Sequence, residues 1–286
     1  MIRDYIKNIY EDFKKYVDNQ KVLCELKEES YFYSNHIPNY RKLYVQQLYL
    51  LRYSYAYICE YMEMYINILN YFNENKINYE NWKILSIGTG SGLDLYGLGL
   101  CSEKLNYEIS YSGSDVIKWE YRPEQIYKVD FVFYKDSLEN ILYYNDIYSK
   151  IIIFPKSIGE ITDDTLVLLP TKIKSDKIYL MVSLAFNGDR SKLEVLLESF
   201  TYHGFVYTVL FNREKINKEN KIELHYKYDI GIYPQDIKNF IYNLNYKCCD
   251  EVSTCSDIRD CDNKLSRYPT ETDINFNYMI VEIKRI

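Results

Sequence analysis

Three glycines at alternate positions, Gly88, Gly90 and Gly92, follow directly on the apolar run Ile84-Leu85-Ser86-Ile87 and lead into Leu93. A turn of this kind excludes side chains twice over: its dihedrals disfavour a Cβ, and a ligand must come close to the backbone. The spacing separates ligand classes. A dinucleotide fingerprint wants Gly-x-Gly-x-x-Gly/Ala, and Leu93 occupies its third position. A phosphate loop wants Gly-Lys-Ser/Thr, which does not follow. Farther on, Lys156, Ser157 and Glu160 come just past a third apolar run, Ile151–Phe154. Lys156 and Glu160 are the candidate groups for acid–base work there. The alternative for each is a solvated loop lysine and a glutamate that begins a helix. Cys248, Cys249, Cys255 and Cys261 fall within fourteen residues, and thiolates select zinc. The paired spacing of a zinc knuckle is missing, adjacent Cys248 and Cys249 cannot easily both ligate, and His225 is the one nearby imidazole, so no metal site is assigned.

These residues need elements to hold them. From Asp4 to about Asn75 the chain reads as helices, with Tyr44, Leu48, Leu51, Tyr55, Ile58, Met62, Tyr65 and Leu69 forming one apolar face on a long helix begun near Pro38 and Asn39. From Lys83, short apolar runs alternate with amphipathic stretches. Strands are expected at Lys83–Ile87, Ile109–Ser114, Phe131–Tyr134, Ile151–Phe154, Ile178–Phe186 and Phe205–Phe211. Helices are expected at Leu93–Leu105 and around Leu193–Phe200. Such alternation implies parallel strands joined by right-handed crossovers. A short helix from Pro234 to Asn245 and a terminal strand at Tyr278–Ile283 complete the reading. The expected division is a helical cap over residues 1–80 and an α/β domain over 81–286, with an insertion at about 213–275.

The strand-and-glycine segment resembles motif I of the class I S-adenosyl-L-methionine (SAM)-dependent methyltransferases, and the match extends over about Lys83 to Phe211. The resemblance implies a Rossmann-like, doubly wound, mainly parallel sheet with SAM as cofactor. It implies that Gly88, Thr89, Gly90 and Gly92 cradle the methionine and sugar, with Ser86 and Phe154 beside them. Asp115, with Val116, would meet the ribose hydroxyls, since a carboxylate accepts from both. Asp136, with Ser137, would lie near the adenine amine. Trp119 and Tyr121 would stack on adenine or line the pocket. Two positions depart from the family. Ser86 stands where an acid usually orients the methionine end, Asp94 being the nearest substitute. Phe154-Pro155-Lys156-Ser157 lacks the signature of amino-methylating DNA enzymes.

Composition narrows the acceptor. The net charge of −6 offers no long-range attraction for a polyanion, which favours a small molecule or a protein over RNA. No apolar run approaches a membrane span, and seven Cys suit no disulfide scaffold, so a cytoplasmic setting is expected. The 34 Tyr imply a core of many rings whose hydroxyls reach the surface. The expected activity is methyl transfer to an unidentified acceptor. The rivals are a SAM-binding or regulatory protein without turnover, an RNA methyltransferase, and an oxidoreductase.

Overall fold

The computed structural model describes residues 2–18, 20–29, 38–185, 188–244, 265 and 267–286. The chain forms two compact units. The larger comprises Ile58–Lys118, Arg122–Lys221 and Ile274–Ile286, and the smaller comprises Met1–Tyr57, Trp119–Tyr121 and Ile222–Asp273.

The larger unit is built on one seven-stranded sheet: β1 (Lys83–Ile87), β2 (Ile109–Ser114), β3 (Val129–Tyr134), β4 (Ile151–Pro155), β5 (Lys177–Ser183), β6 (Phe205–Arg213) and β7 (Tyr278–Arg285). Its order is β3-β2-β1-β4-β5-β7-β6. The first five in that order pair in parallel, and β7 runs antiparallel between β5 and β6. Parallel strands covered on both faces read as unbroken apolar runs, as Ile151–Phe154 does, all four buried. Crossover helices are α4 (Leu93–Leu100), α5 (Leu138–Tyr144), α6 (Asp163–Lys172) and α7 (Gly188–Tyr202). The helix expected over Leu93–Leu105 stops at Leu100 and gives way to a 3-10 turn. The fifth strand ends at Ser183 rather than at Phe186, a residue outside those described. Ile87, Phe154, Leu166, Val182, Leu196 and Val281 belong to one apolar cluster in this unit.

The smaller unit contains α1 (Ile2–Val17), α2 (Gln20–Glu29), the first part of α3 (Leu43–Glu74), α8 (Leu224–Tyr228) and α9 (Gln235–Tyr242). The division by compactness differs from the one expected at residue 80, for reasons visible in the side chains. The second half of α3 carries a polar stripe bound to the sheet. Glu60 accepts from Ser183, Glu63 accepts from Tyr278 and pairs with Arg213, and Asn67 donates to Tyr278. Part of the expected insertion is tied to the first half of α3. Arg52 donates to the Leu265 carbonyl, Thr270 N–H to the Arg52 carbonyl, and Tyr233 hydroxyl to the Leu51 carbonyl. Many tyrosine hydroxyls thus find partners inside the protein instead of reaching water. No helix among the described residues is long and apolar enough to cross a membrane.

Candidate functional site

The strand order reverses at β1, where the chain passes from β2 on one side to β4 on the other; open α/β sheets bind ligands at such a point, outside the carboxyl ends of the strands. The glycine loop lies there. Gly88, Gly90 and Gly92 all have left-handed backbones, with φ of 67°, 59° and 77°. A Cβ on Gly92 would come within 2.9 Å of the Phe133 ring, and one on Gly88 would collide with the Ser157 side chain. The loop is pinned to β2: the N–H groups of Gly88 and Thr89 donate to the Ser114 carbonyl at 2.8 and 3.0 Å.

Asp115, at the end of β2, is turned onto the same loop. Its Oδ2 accepts from Gly90 N–H at 2.9 Å and its Oδ1 from Ile117 N–H at 2.8 Å. Val116 beside it is 60% exposed. Asp136 follows β3, and its Oδ1 accepts from Ser137 N–H and the Asn140 amide, both at 2.9 Å. Ser137 caps α5 by accepting from Asn140 N–H. The carboxylates of Asp115 and Asp136 therefore stand after the adjacent strands β2 and β3.

Other expected residues are buried or belong to the smaller unit. Ser86 and Phe154 are wholly buried. The Phe154 ring is part of the apolar core, and Ser86 lies under the loop, so neither side chain lines an open site. Asp94 is also wholly buried and cannot stand in for the missing acid by touching a ligand. Trp119 and Tyr121 belong to the smaller unit. Trp119 packs against Tyr40 and Tyr49, with ring centroids 5.0 and 5.8 Å away, and Tyr121 hydroxyl donates to Asp12 and accepts from Gln47. Their rings are committed to that unit's packing.

Lys156 requires the largest correction. Its ammonium is buried against Glu60, 2.9 and 2.8 Å from the two carboxylate oxygens, and donates to the Leu184 carbonyl at 3.2 Å. Its backbone is left-handed, with φ of 61°. Burial holds its pKa below the usual lysine value, with Glu60 opposing the shift. It is a strut between α3 and the exit of β4, and no solvent-facing base. Ser157 is likewise buried, its hydroxyl donating to the Ile87 carbonyl. Glu160 ends the 3-10 turn after β4 and is exposed. Partial desolvation at its inner side, then the carboxylates of Asp115 and Asp189, push its carboxyl up to about 7; the open outer face moderates the first of these causes. A carboxyl titrating near neutrality can exchange a proton with a bound acceptor.

Arg122 and Phe133 were not anticipated. Arg122 Nε donates to the Gly90 carbonyl at 3.2 Å and its guanidinium lies 4.4 Å over the Phe133 ring. Gly113 makes room for both Phe133 and the Thr89 methyl, which a Cβ there would meet at 2.7 and 2.9 Å. A glycine inside a strand pattern was the available signal. The four clustered cysteines lie outside the described residues, and among the described residues no three metal-binding side chains come together.

No family model matches the chain, and no curated protein matches it in sequence. Among solved structures it is similar to the plantazolicin methyltransferase BpumL in complex with a monoazolic desmethylPZN analogue and SAH, at 12% identity over the full length of both chains and a TM-score of 0.42. A SAM-dependent methyltransferase from Archaeoglobus fulgidus is 15% identical over 76% of this chain and 93% of its own, with a TM-score of 0.40. The YcgJ protein of Bacillus subtilis is 14% identical over 76% of this chain and 98% of its own, with a TM-score of 0.35. In the order of its seven strands, the antiparallel β7 and the glycine loop after β1, the chain has the Rossmann-like fold of the class I SAM-dependent methyltransferases.

Proposed function

We propose that this protein binds SAM over the carboxyl ends of β1, β2 and β3 and transfers its methyl group to a small-molecule or protein acceptor. The observation that carries the reading is the contact between the Asp115 carboxylate and the Gly90 N–H. It brings the acid after β2 onto a loop of three left-handed glycines at the switch point of the sheet. The residues present fit the cofactor. The loop offers backbone free of side chains, Asp115 offers two acceptor oxygens to a vicinal diol, and Asp136 follows the next strand toward the far end of the nucleoside. When bound, SAM supplies an electrophilic methyl carbon on a sulfonium. The chain's part is to align an acceptor with that carbon and to take the acceptor's proton where there is one. Glu160 would take that proton, since it follows β4 and its carboxyl is pushed up to about 7 by desolvation and by Asp115 and Asp189. Lys156 holds the β4 exit in position from below.

A second reading is a SAM-binding protein without turnover. The sequestered Lys156 and the buried Ser86 favour it, because they remove two groups an active site would use. Calorimetric titration with SAM and, separately, with NAD tests the cofactor. Saturable SAM binding without an NAD response is expected, and a folded protein that ignores SAM overturns the reading. Methyl transfer from labelled SAM to peptide and small-molecule mixtures then separates an enzyme from a binding protein.

A further inference from the structure

Under the glycine loop lies a closed set of polar side chains. Asp94 is in the first turn of α4, Thr89 in the loop itself, Tyr111 in β2 and Ser86 near the end of β1, and all four are buried. Three oxygen–oxygen contacts join three of them in a ring. Thr89 Oγ1 is 3.0 Å from Asp94 Oδ1, Tyr111 hydroxyl is 2.8 Å from Asp94 Oδ2, and Thr89 Oγ1 is 2.7 Å from Tyr111 hydroxyl. Each contact of that length needs a hydrogen between its oxygens. Two hydroxyls supply two hydrogens, and an ionised carboxylate supplies none. The ring is therefore one hydrogen short with Asp94 charged. Ser86 does not make up the difference. Its hydroxyl is near enough to favour the charged form of Asp94 but has no well-formed hydrogen bond. A Ser86 hydrogen directed at the carboxylate would still leave one of the three contacts empty.

We infer that Asp94 is a neutral carboxylic acid in the folded protein, and that its proton closes a head-to-tail ring with Thr89 and Tyr111 that sets the glycine loop. The acid donates to Thr89, Thr89 to Tyr111, and Tyr111 back to the second carboxyl oxygen. Complete burial acts in the same direction, raising the Asp94 carboxyl above its ordinary value against the pull of Ser86, Tyr111, Thr89 and its own backbone N–H. The titratable groups facing it are Tyr111 from β2 and Tyr65 from α3, with Cys101 beside Tyr65. Burial raises all three, so each stays neutral near pH 7. Asp94 is a positioning residue: it meets no ligand, and acts through Thr89 on the peptide between Gly88 and Gly90. It thereby holds the loop from below in the shape a bound cofactor would meet. Only this last step rests on the proposed SAM site.

The test compares Asp94→Asn, Asp94→Ala and Tyr111→Phe by thermal unfolding across pH without ligand, with the infrared carbonyl band of wild type minus Asp94→Asn. An amide carries its own hydrogens, so Asp94→Asn keeps Tm within about 2 °C of wild type at neutral pH, whereas Asp94→Ala and Tyr111→Phe lose roughly 5 °C or more. A proton held more tightly in the folded state gives stability that is full below the unfolded carboxyl pKa and lost as pH rises through the folded one. Wild type therefore falls relative to Asp94→Asn as pH rises from the unfolded carboxyl value to the folded one, and the infrared difference shows a protonated acid. A carboxylate band, or Asp94→Asn as damaging as Asp94→Ala, overturns the inference. An Asp94→Asn variant that does not fold while Asp94→Ala does overturns it too; if neither folds, Tyr111→Phe carries the comparison, and a Tm equal to wild type at all pH values overturns it. Failure of wild type to bind SAM would strike the proposed function and leave these ligand-free results standing.

Discussion

Removing Glu60 takes the counter-charge from Lys156 and the acceptor from two further donors. Glu60 Oε1 accepts from Lys156 Nζ, from Ser183 Oγ at 2.9 Å and from Asn277 N–H at 3.1 Å, and the carboxylate is almost fully excluded from water. Breaking a buried pair from one side costs about 3–5 kcal/mol, because the remaining charge stays desolvated. Lys156 retains the Leu184 carbonyl, which places Glu60→Ala at about 4 kcal/mol, or roughly 8–16 °C in Tm. Urea unfolding reads the loss as a lower midpoint with unchanged slope. The double variant Glu60→Leu/Lys156→Met recovers most of it, giving a coupling energy of at least about 2 kcal/mol in the cycle. The pH dependence is diagnostic. Burial already holds the Lys156 pKa down, and without Glu60 the amine sheds its proton more readily still. The penalty of Glu60→Ala is thus full at low pH and shrinks as pH rises through the lowered lysine value. A loss below about 1 kcal/mol, independent of pH, would show that the pair is solvated and that Lys156 is available for chemistry after all.

Asp115→Ala removes the carboxylate that accepts from Gly90 N–H; SAM affinity by calorimetry is expected to vanish, and unchanged affinity sinks the placement of the ribose. Gly92→Ala puts a Cβ at positive φ and 2.9 Å from Phe133, with an expected loss of about 1–3 kcal/mol in stability and weaker SAM binding; a variant as stable as wild type refutes the strain. For Glu160 the base must be ionised, so any transfer rate rises with pH through about 7, and Glu160→Gln flattens that limb. An unchanged profile in the variant assigns the proton to another group. Arg122→Leu withdraws the guanidinium from the Gly90 carbonyl and the Phe133 ring, and is expected to weaken SAM binding by about tenfold; equal affinity would make Arg122 a surface residue of no consequence to the loop.

The sheet was legible because its central strands β4 and β5 are buried apolar runs, and the glycine loop because three positive-φ positions favour one residue type. Helices α5 and α6 were not anticipated. They are only 7 and 10 residues long and begin at the side-chain caps Ser137 and Thr162, and α6 contains Pro170; short helices show little periodicity. The positions of Asp115 and Asp136 after β2 and β3 were legible, since strand ends are local. Lys156 and Glu160 occupy similar places but received one reading, whereas the structure buries the first and exposes the second. What decides between them is Glu60, 96 residues away, and no local pattern records that. The division of α3 between two units escaped for the same reason: its sheet-bound stripe of Glu60, Glu63 and Asn67 looks like ordinary polar spacing until Ser183 and Tyr278 arrive from far along the chain.

The place of β7 between β5 and β6 has a consequence for the order in which the protein can be made. Strand β6 ends at Arg213 and its one strand partner among the described residues begins at Tyr278, about 65 residues later. At about 5–20 residues per second, a nascent chain carries β6 without its ladder for roughly 3–13 s. Through that interval Val206, Tyr207 and Val209, exposed even in the finished sheet, lie on a strand whose hydrogen-bonding groups have no mate. The eight residues of β7 then pair with both neighbours, β5 and β6. Pairing of β7 therefore closes two ladders, and the period just before it is when chaperone capture and strand-to-strand aggregation compete for the protein.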